Sequence, residues 1–150
     1  MNADERRYKH EHLTRRIIGV FFQVYNELGH GFLESVYREA MVIALRANGL
    51  LVEKEFALTA RFRGQIIGEF KADLIVGGSV LVELKAVRSI NPAHEAQLLN
   101  YLRASVLEVG LLLNFGPYPK VRRLAFANER KGHSFINRAF LKVPKSEVLA

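Results

Sequence analysis

Apolar residues recur at three- and four-residue spacing in two N-terminal segments, which predicts two helices. In the first, from about His12 to Leu28, the repeat runs through Leu13, Ile17, Val20, Phe21, Val24 and Leu28. The second, from about Phe32 to Asn48, is apolar around much of its circumference and is therefore expected to be largely buried. Gly29 and Gly49 follow the two segments, where a glycine can take the left-handed conformation that ends a helix.

From Val52 onward, alternating and continuous apolar runs replace the helical spacing and predict three strands. The first strand, Val52 to Phe62, alternates apolar and polar positions as a half-exposed strand does. Arg63-Gly64 turns the chain into a second strand, Gln65 to Val76, and a third strand follows from Val80 to Val87. Val, Ile and Leu dominate the last two runs, and the glycine pair between them indicates a hairpin.

The remaining pattern predicts one more helix and two more strands. Asn91-Pro92 combines an N-cap residue with a proline at the first helical position and predicts a helix from Ala93 to Ala104. Val109 to Asn114 is a short apolar run expected to be a central strand, and Val121 to Phe126 is the next strand. The order α-α-β-β-β-α-β-β predicts an α/β (mixed α+β) fold with a central mixed sheet of about four to five strands flanked by helices.

The length of the loop at the glycine pair decides which side chains share a face. A two-residue turn at Gly77-Gly78 would place Glu83 and Asp73 on opposite sides of the sheet. A three-residue loop that includes Ser79 sets Asp73 directly opposite Glu83 and gives one wholly apolar face. The apolar pairs in that register are Val76 with Val80, Leu74 with Val82 and Ala72 with Leu84. Because a buried face fixes strand register, we predict the three-residue loop.

The chemical consequence is a pair of converging carboxylates. Directly opposed residues have Cβ atoms about 5 Å apart, and like charges that close resist joint ionisation unless a cation lies between them. Hard divalent ions such as Mg²⁺ prefer carboxylate oxygens, so Asp73 and Glu83 are candidate metal ligands. Lys85 projects from the same face as Glu83 and could stabilise negative charge on a phosphate. A solvated polar face with a surface ion pair is the competing interpretation.

Three other positions are candidates for the same site. Glu34, in the first turn of the second helix, shares a side with Tyr37 and Met41, which predicts that it points inward as a third carboxylate. Its alternative role is to complement the helix dipole. Gln97 and Tyr101 lie on one stripe of the Ala93 to Ala104 helix, where they could orient a water or contact a phosphate. They could equally be ordinary boundary residues.

Candidate substrate contacts are Tyr37, Lys71 and Tyr101. The predicted register sets Lys71 across from Lys85, a like-charge pair that costs energy. A bound phosphate would relieve that repulsion, and a twisted strand end would relieve it equally well.

Composition narrows the class of protein. The 150 residues are 49% hydrophobic and 25% charged, which suits one soluble domain with a real core, expected to cover about residues 12–127 of a single unit spanning 1–150. The absence of cysteine excludes disulfides and thiolate metal sites and favours a reducing cytoplasm. No apolar run approaches the roughly 20 residues that a membrane span needs, so no membrane partner is expected.

The net charge of +7 is concentrated toward the C-terminus. From Gly116 onward eight basic residues face only Glu129 and Glu147. Residues 128–150 are therefore expected to form a basic arm that helps to hold a polyanion, although basic surfaces also serve solubility. Phe135, Ile136, Phe140 and Leu141 in this arm predict a short docking helix.

Taken together, these residues resemble a known family. The order of elements, with Asp73, Glu83-Leu84-Lys85 and a preceding helical Glu34, is similar to the core of the PD-(D/E)xK nuclease superfamily. More narrowly, Gly31 to Tyr37, read GFLESVY, resembles the GxxExxY signature for which one bacterial family of that superfamily is named. The stretches ADLIV, VELKAV and HEAQLLNYL resemble the same family, and the likeness runs from about Ile17 to Phe126.

The resemblance implies a phosphodiesterase site that uses Mg²⁺ or Mn²⁺. Asp73 and Glu83 would be metal ligands, Lys85 would position or activate the water, Glu34 would be an additional metal-site acid, and Gln97 corresponds to the glutamine of the second core helix. The expected function is a nuclease acting on DNA or RNA. A non-catalytic nucleic-acid-binding or accessory module that retains the fold, and hydrolysis of another phosphorylated substrate, remain alternatives. A homodimer would suit a nuclease, since cutting two strands often takes two sites.

Overall fold

The computed structural model describes residues 10–131, and its helices and strands follow the predicted order. Each boundary lies within two residues of the predicted one. The elements are α1 (Glu11–Leu28), α2 (Glu34–Ala47), β1 (Val52–Phe62), β2 (Gln65–Val76), β3 (Val80–Lys85), α3 (Pro92–Arg103), β4 (Val109–Phe115), β5 (Pro119–Ala125) and a 3₁₀ turn at Asn128–Arg130.

The five strands form one mixed sheet in the order β1-β2-β3-β4-β5. Neighbouring strands are antiparallel except β3 and β4, which run parallel. A parallel pair needs a crossover connection, and α3 provides it between β3 and β4. All seven residues of β4 are buried, as expected for a strand that is covered on both faces. The predicted mixed α/β fold is therefore confirmed.

Each face of the sheet has its own apolar cluster. On one face, α1 and α2 pack against inward residues of β2, β3 and β4, with Tyr37 stacked on Phe115 at a ring-centroid distance of 4.1 Å. On the other face, Leu98 and Leu102 of α3 pack against a cluster that includes Ile75, Leu81 and Leu112. Burying one such side chain contributes roughly 1.5–3 kcal/mol, so both layers hold the sheet in place.

The hairpin between β2 and β3 has the predicted three-residue loop. Val76 pairs with Val80 and Leu74 pairs with Val82, while Gly77 and Gly78 adopt left-handed φ angles of 59° and 65°. The ladder ends at the Leu74–Val82 pair. The last predicted apolar pair, Ala72 with Leu84, and the predicted opposition of Lys71 and Lys85 are therefore not part of it.

The β1–β2 hairpin contains two irregularities that the sequence pattern did not predict. Its register shifts by one residue between Ala60 and Arg61. Further along β1, Glu55 has a left-handed φ of 53°, which is uncommon for a residue other than glycine. The neighbouring pairs, Lys54 with Leu74 and Phe56 with Ala72, leave Glu55 opposite Asp73.

The C-terminal part of the predicted basic arm, including Phe135, Ile136, Phe140 and Leu141, lies outside the described residues. The division into a core and an arm therefore stays a prediction. Lys131, which was expected to belong to the polyanion-binding end, is instead buried, and its ammonium donates to the carbonyl oxygens of Ser105 (3.0 Å) and Leu107 (2.7 Å).

Within residues 10–131, none of the helices has the length and apolar character that crossing a bilayer requires.

The loop geometry generates a stability prediction. Gly77→Ala should lower the free energy of unfolding by about 1–2 kcal/mol, because an alanine there is held left-handed and its Cβ would lie 3.0 Å from Leu13 Cδ2. Gly19→Ala is the matched control, since it lies on the exposed side of α1 with nothing within 4 Å of the added Cβ. It should stabilise the protein by up to about 1 kcal/mol. Urea unfolding measures both, and a loss of the same size in both variants would contradict this account.

Candidate active site

Two carboxylates converge where β2 and β3 cease to pair. The Asp73 N–H donates to Glu83 Oε1 at 2.9 Å, and the Leu84 N–H donates to Asp73 Oδ2 at 2.8 Å. Each acid is thus held by the backbone of the opposite strand, in place of the main-chain bonds that a continued ladder would make. These two hydrogen bonds fix the orientation of both side chains.

Glu83 is buried, with only 5% of its surface exposed. Burial, together with repulsion from Asp73, raises the pKa of its carboxyl from 4.5 to about 8. The Asp73 N–H and the positive charge of Lys85 act in the opposite direction but do not overcome these effects. An additional cation beside Glu83 would favour its charged form.

Lys85 is the last residue of β3 and contacts the helix above it. Its ammonium donates to Gln97 Oε1 at 3.0 Å. Lys85 therefore links Gln97 of α3 to the carboxylate pair. The strand is held just beyond Lys85 by Asn114, whose side chain accepts from the Val87 N–H (3.0 Å) and donates to the Val87 carbonyl (2.9 Å). The backbone is therefore fixed on the C-terminal side of Lys85 as well, which helps to position the amine.

The start of α3 is fixed by a reciprocal cap. Asn91 Oδ1 accepts from the His94 N–H, and His94 Nδ1 accepts from the Asn91 N–H, both at 3.2 Å. Pro92 occupies the first helical position, as the sequence predicts. His94 is therefore a capping residue, and the cap sets where Gln97 falls one turn later.

Two charged residues that the sequence analysis did not single out also reach the site. Arg38 of α2 places Nη2 3.2 Å from Glu55 Oε1 and Nη1 3.5 Å from Asp73 Oδ1. Glu55 comes opposite Asp73 only because the bulge at Ala60 shifts the β1–β2 register, since an unshifted hairpin would set Lys54 there. The sequence carries no clear signal of that bulge, which explains why this contact was missed.

The prediction that Glu34 points inward is wrong. Glu34 is exposed at the first position of α2, and its neighbours Phe32 and Leu33 are 49% and 76% exposed. The side it shares with Tyr37 and Met41 is buried at those two residues but not at Glu34. The structure therefore does not bring Glu34 to the carboxylate pair.

Tyr37 is not accessible to a substrate in this structure. It is fully buried against Phe115, and its hydroxyl donates to the Gly29 carbonyl at 2.6 Å and accepts from the Phe32 N–H at 3.2 Å. The prediction that it contacts substrate is corrected: this tyrosine anchors the connection between α1 and α2 to the core.

The other two candidate substrate contacts are accessible. Lys71 is exposed on β2, and Tyr101 is half-buried on α3. Burial raises the pKa of the Tyr101 hydroxyl, and the negative charges of Glu83 and Asp73 raise it further. Tyr101 therefore lies within the electrostatic reach of the carboxylate pair.

The donor set was tested against the divalent cation that the resemblance implies. Among residues 10–131, no three side chains of His, Cys, Asp or Glu come together as a metal-binding group. A zinc-like shell with three or four protein ligands therefore does not fit. Mg²⁺ is commonly held by one or two carboxylates, with water and substrate phosphate filling the other positions. Asp73 and the buried Glu83 fit that pattern.

Comparison with known proteins gives a match to one family model. Residues 11–124 match the sequence model of the PD-(D/E)XK nuclease superfamily. The solved structure titled "Crystal structure of SSO0001" is similar at 20% identity with a TM-score of 0.46, over 62% of this chain. This chain spans about half of that protein, 50% of its length. Among curated proteins, none matches.

The raised pKa of Glu83 generates a prediction for the protein in chelator. The folded state keeps a proton on Glu83 up to about pH 8, whereas the unfolded chain releases it near the ordinary value of 4.5. The stabilisation that protonated Glu83 gives to the folded state is therefore fully present below about pH 4.5. It decreases as pH rises and is lost once the pH passes about 8. Relative to Glu83→Gln, the wild type should lose on the order of 4 kcal/mol of unfolding free energy between pH 5 and 8.5.

Denaturant titrations at several pH values measure this difference. Glu39→Gln is the control, because Glu39 is an exposed acid whose pKa is lowered by Lys54. That variant should keep the wild-type loss of stability at high pH. Parallel pH profiles for the wild type and Glu83→Gln would contradict a protonated, buried Glu83.

Proposed function

This chain belongs to the PD-(D/E)XK nuclease superfamily, and on that premise we propose that it is a metal-dependent nuclease that hydrolyses nucleic-acid phosphodiester bonds. The observation that carries the proposal is the convergence of Asp73 and Glu83 at the end of the β2–β3 ladder, with Lys85 alongside. A buried acid with a pKa near 8 is unfavourable to ionise without a counter-charge, and a divalent ion provides one.

Asp73 and Glu83 would hold Mg²⁺ or Mn²⁺. When bound, such an ion makes water more acidic and neutralises charge on a phosphate. The backbone bonds to Asp73 Oδ2 and Glu83 Oε1 orient the two carboxylates before any ligand arrives. Preorganisation of this kind lowers the cost of assembling the site during reaction.

Lys85 supplies the positive charge that belongs to the chain itself. Gln97 already orients the Lys85 ammonium. Donation to a phosphate oxygen or to the attacking water therefore costs less orientational entropy. Gln97 acts through Lys85 and through any water that its amide contacts. Arg38 and Glu55 act further out, where Arg38 forms an ion pair with both Asp73 and Glu55.

Within the superfamily, we assign the chain to the GxxExxY family on Gly31, Glu34 and Tyr37. Gly31 has a φ of 112°, a conformation that favours glycine, and Tyr37 is the buried anchor of the α1–α2 connection. Glu34 lies exposed in the first turn of α2, where an acidic side chain complements the helix dipole. In this proposal the signature maintains the fold around α2, and metal binding falls to Asp73 and Glu83.

A cleavage assay tests the proposed activity. With Mg²⁺ or Mn²⁺, the wild type should cut a panel of single- and double-stranded DNA and RNA, and Lys85→Ala and Asp73→Asn should each slow cleavage roughly 10²- to 10³-fold, the scale of losing one charge-stabilising group. Lys54→Ala is the matched lysine control, because Lys54 pairs with the exposed Glu39. It should cut at the wild-type rate.

Metal binding separates an enzyme from a non-catalytic module. Titration calorimetry should show that Mn²⁺ binds the wild type and not Asp73→Asn, while circular dichroism shows that both are folded. A wild type that binds nucleic acid but cuts no member of the panel with either ion would replace the nuclease with a binding or accessory module.

Charge generates a second prediction for this proposal. Lys120, Arg122 and Arg130 are described basic residues of the C-terminal excess, and the first two lie on the edge strand β5. If such residues contact phosphates, binding should weaken with salt at a log–log slope of roughly −0.7 to −0.9 per contact. Lys120→Gln should reduce that slope by about one contact in an anisotropy titration. A flat salt response would point to a small or uncharged ligand.

A further inference from the structure

A surface pocket of about 660 Å³ opens between Phe70 of β2 and α3. Phe70, Gln97, Asn100, Tyr101 and Arg103 line it. Gln97 belongs both to this pocket and to the site, since it accepts from the Lys85 ammonium. The pocket is therefore continuous with the place where a phosphate would be held.

The inner wall of the pocket is aromatic. The rings of Phe70 and Tyr101 stack with centroids 4.5 Å apart and planes only 9° from parallel. Phe70 comes from β2, three residues before Asp73, while Tyr101 lies one helical turn after Gln97 on α3. Two separate elements therefore bring a stacked aromatic pair to the edge of the site, and a planar group could continue that stack on an outer ring face.

The rim of the pocket is polar. Asn100 and Arg103 lie on the same helix as Tyr101, with Arg103 Nη1 donating to Asn100 Oδ1 at 3.3 Å. An amide and a guanidinium are groups that hydrogen-bond to base edges and to phosphates. A planar ring system with polar edges, attached to a phosphate, has the shape and chemistry that this surface fits.

We infer that the pocket binds one unpaired nucleobase next to the cleaved phosphate, so that the substrate is single-stranded or locally unpaired nucleic acid. This inference rests on the proposed nuclease function. In a continuous duplex the faces of each base are covered by its neighbours, so a base reaches an aromatic wall only when it leaves the stack. Stacking of a base on an aromatic side chain contributes roughly 1–3 kcal/mol and tolerates any base.

Binding of oligonucleotides in chelator, where no cutting occurs, tests the inference. The probes are a short single-stranded DNA, the matching blunt duplex, and a series in which one abasic nucleotide moves along the single strand. The wild type should prefer the single strand, and one abasic position should weaken binding roughly 5- to 100-fold. Tyr101→Leu and Phe70→Leu should each weaken binding of the intact strand by a similar factor. Replacing the intact strand with that abasic probe should weaken the binding of these variants little further.

Controls keep a folding defect apart from a binding defect. Tyr118→Leu removes an aromatic ring that is 75% exposed on the connection between β4 and β5, and it should bind as the wild type does. Tyr101→Phe keeps the ring and should bind more tightly than Tyr101→Leu. The abasic series needs no variant at all, so it remains decisive even if a substitution at Phe70 unfolds the protein.

The outcomes distinguish this inference from the nuclease proposal. Equal affinity for duplex and single strand, no sensitive abasic position, or no binding to any probe overturns the base-binding pocket, even if the wild type cuts nucleic acid. A sensitive abasic position that Tyr101→Leu abolishes supports the pocket, even if no divalent ion elicits cleavage.

Discussion

The candidate site depends on one exchange between side chain and backbone. Asp73 and Glu83 accept hydrogen bonds from backbone N–H groups on each other's strands at the position where the β2–β3 ladder ends. This requires that the two residues lie on the same face, which the odd number of residues in the Gly77–Ser79 loop ensures. The loop is possible because Gly77 and Gly78 accept left-handed angles. The backbone conformation of this loop therefore determines where the two acids lie.

The same arrangement creates an electrostatic imbalance. Glu83 is buried beside a second carboxylate, and both effects disfavour its ionised form. Lys85 and Arg38 approach the pair from different elements, but Lys85 is directed toward Gln97 and Arg38 is shared with Glu55. Neither cation lies between the two acids in the way that a metal ion would. The fold thus holds a buried acid whose ionised form its own residues stabilise only in part.

The sequence alone predicted those parts of the structure that follow from local periodicity and from a buried face. The element order, the strand register at Gly77 and the apolar face made by Leu74, Val76, Val80 and Val82 are of this kind, whereas Ala72 packs in the cluster on the other face. Glu34 was misplaced because helical periodicity says which residues share a side but not how much of that side the rest of the fold covers. Glu55 was missed because a bulge at Ala60 changes the register of the whole hairpin, and Arg38 reaches the site only through Glu55 and Asp73. Both depend on tertiary packing.

The left-handed backbone at Glu55 also has a consequence for solubility. β1 is an outer strand of eleven residues, and the row of backbone groups along its outer side is an edge to which another chain could add as an extra strand. A left-handed residue interrupts that row, and the charges of Glu53, Lys54 and Glu55 oppose close approach. The left-handed backbone at Glu55 therefore guards the sheet against intermolecular β-aggregation.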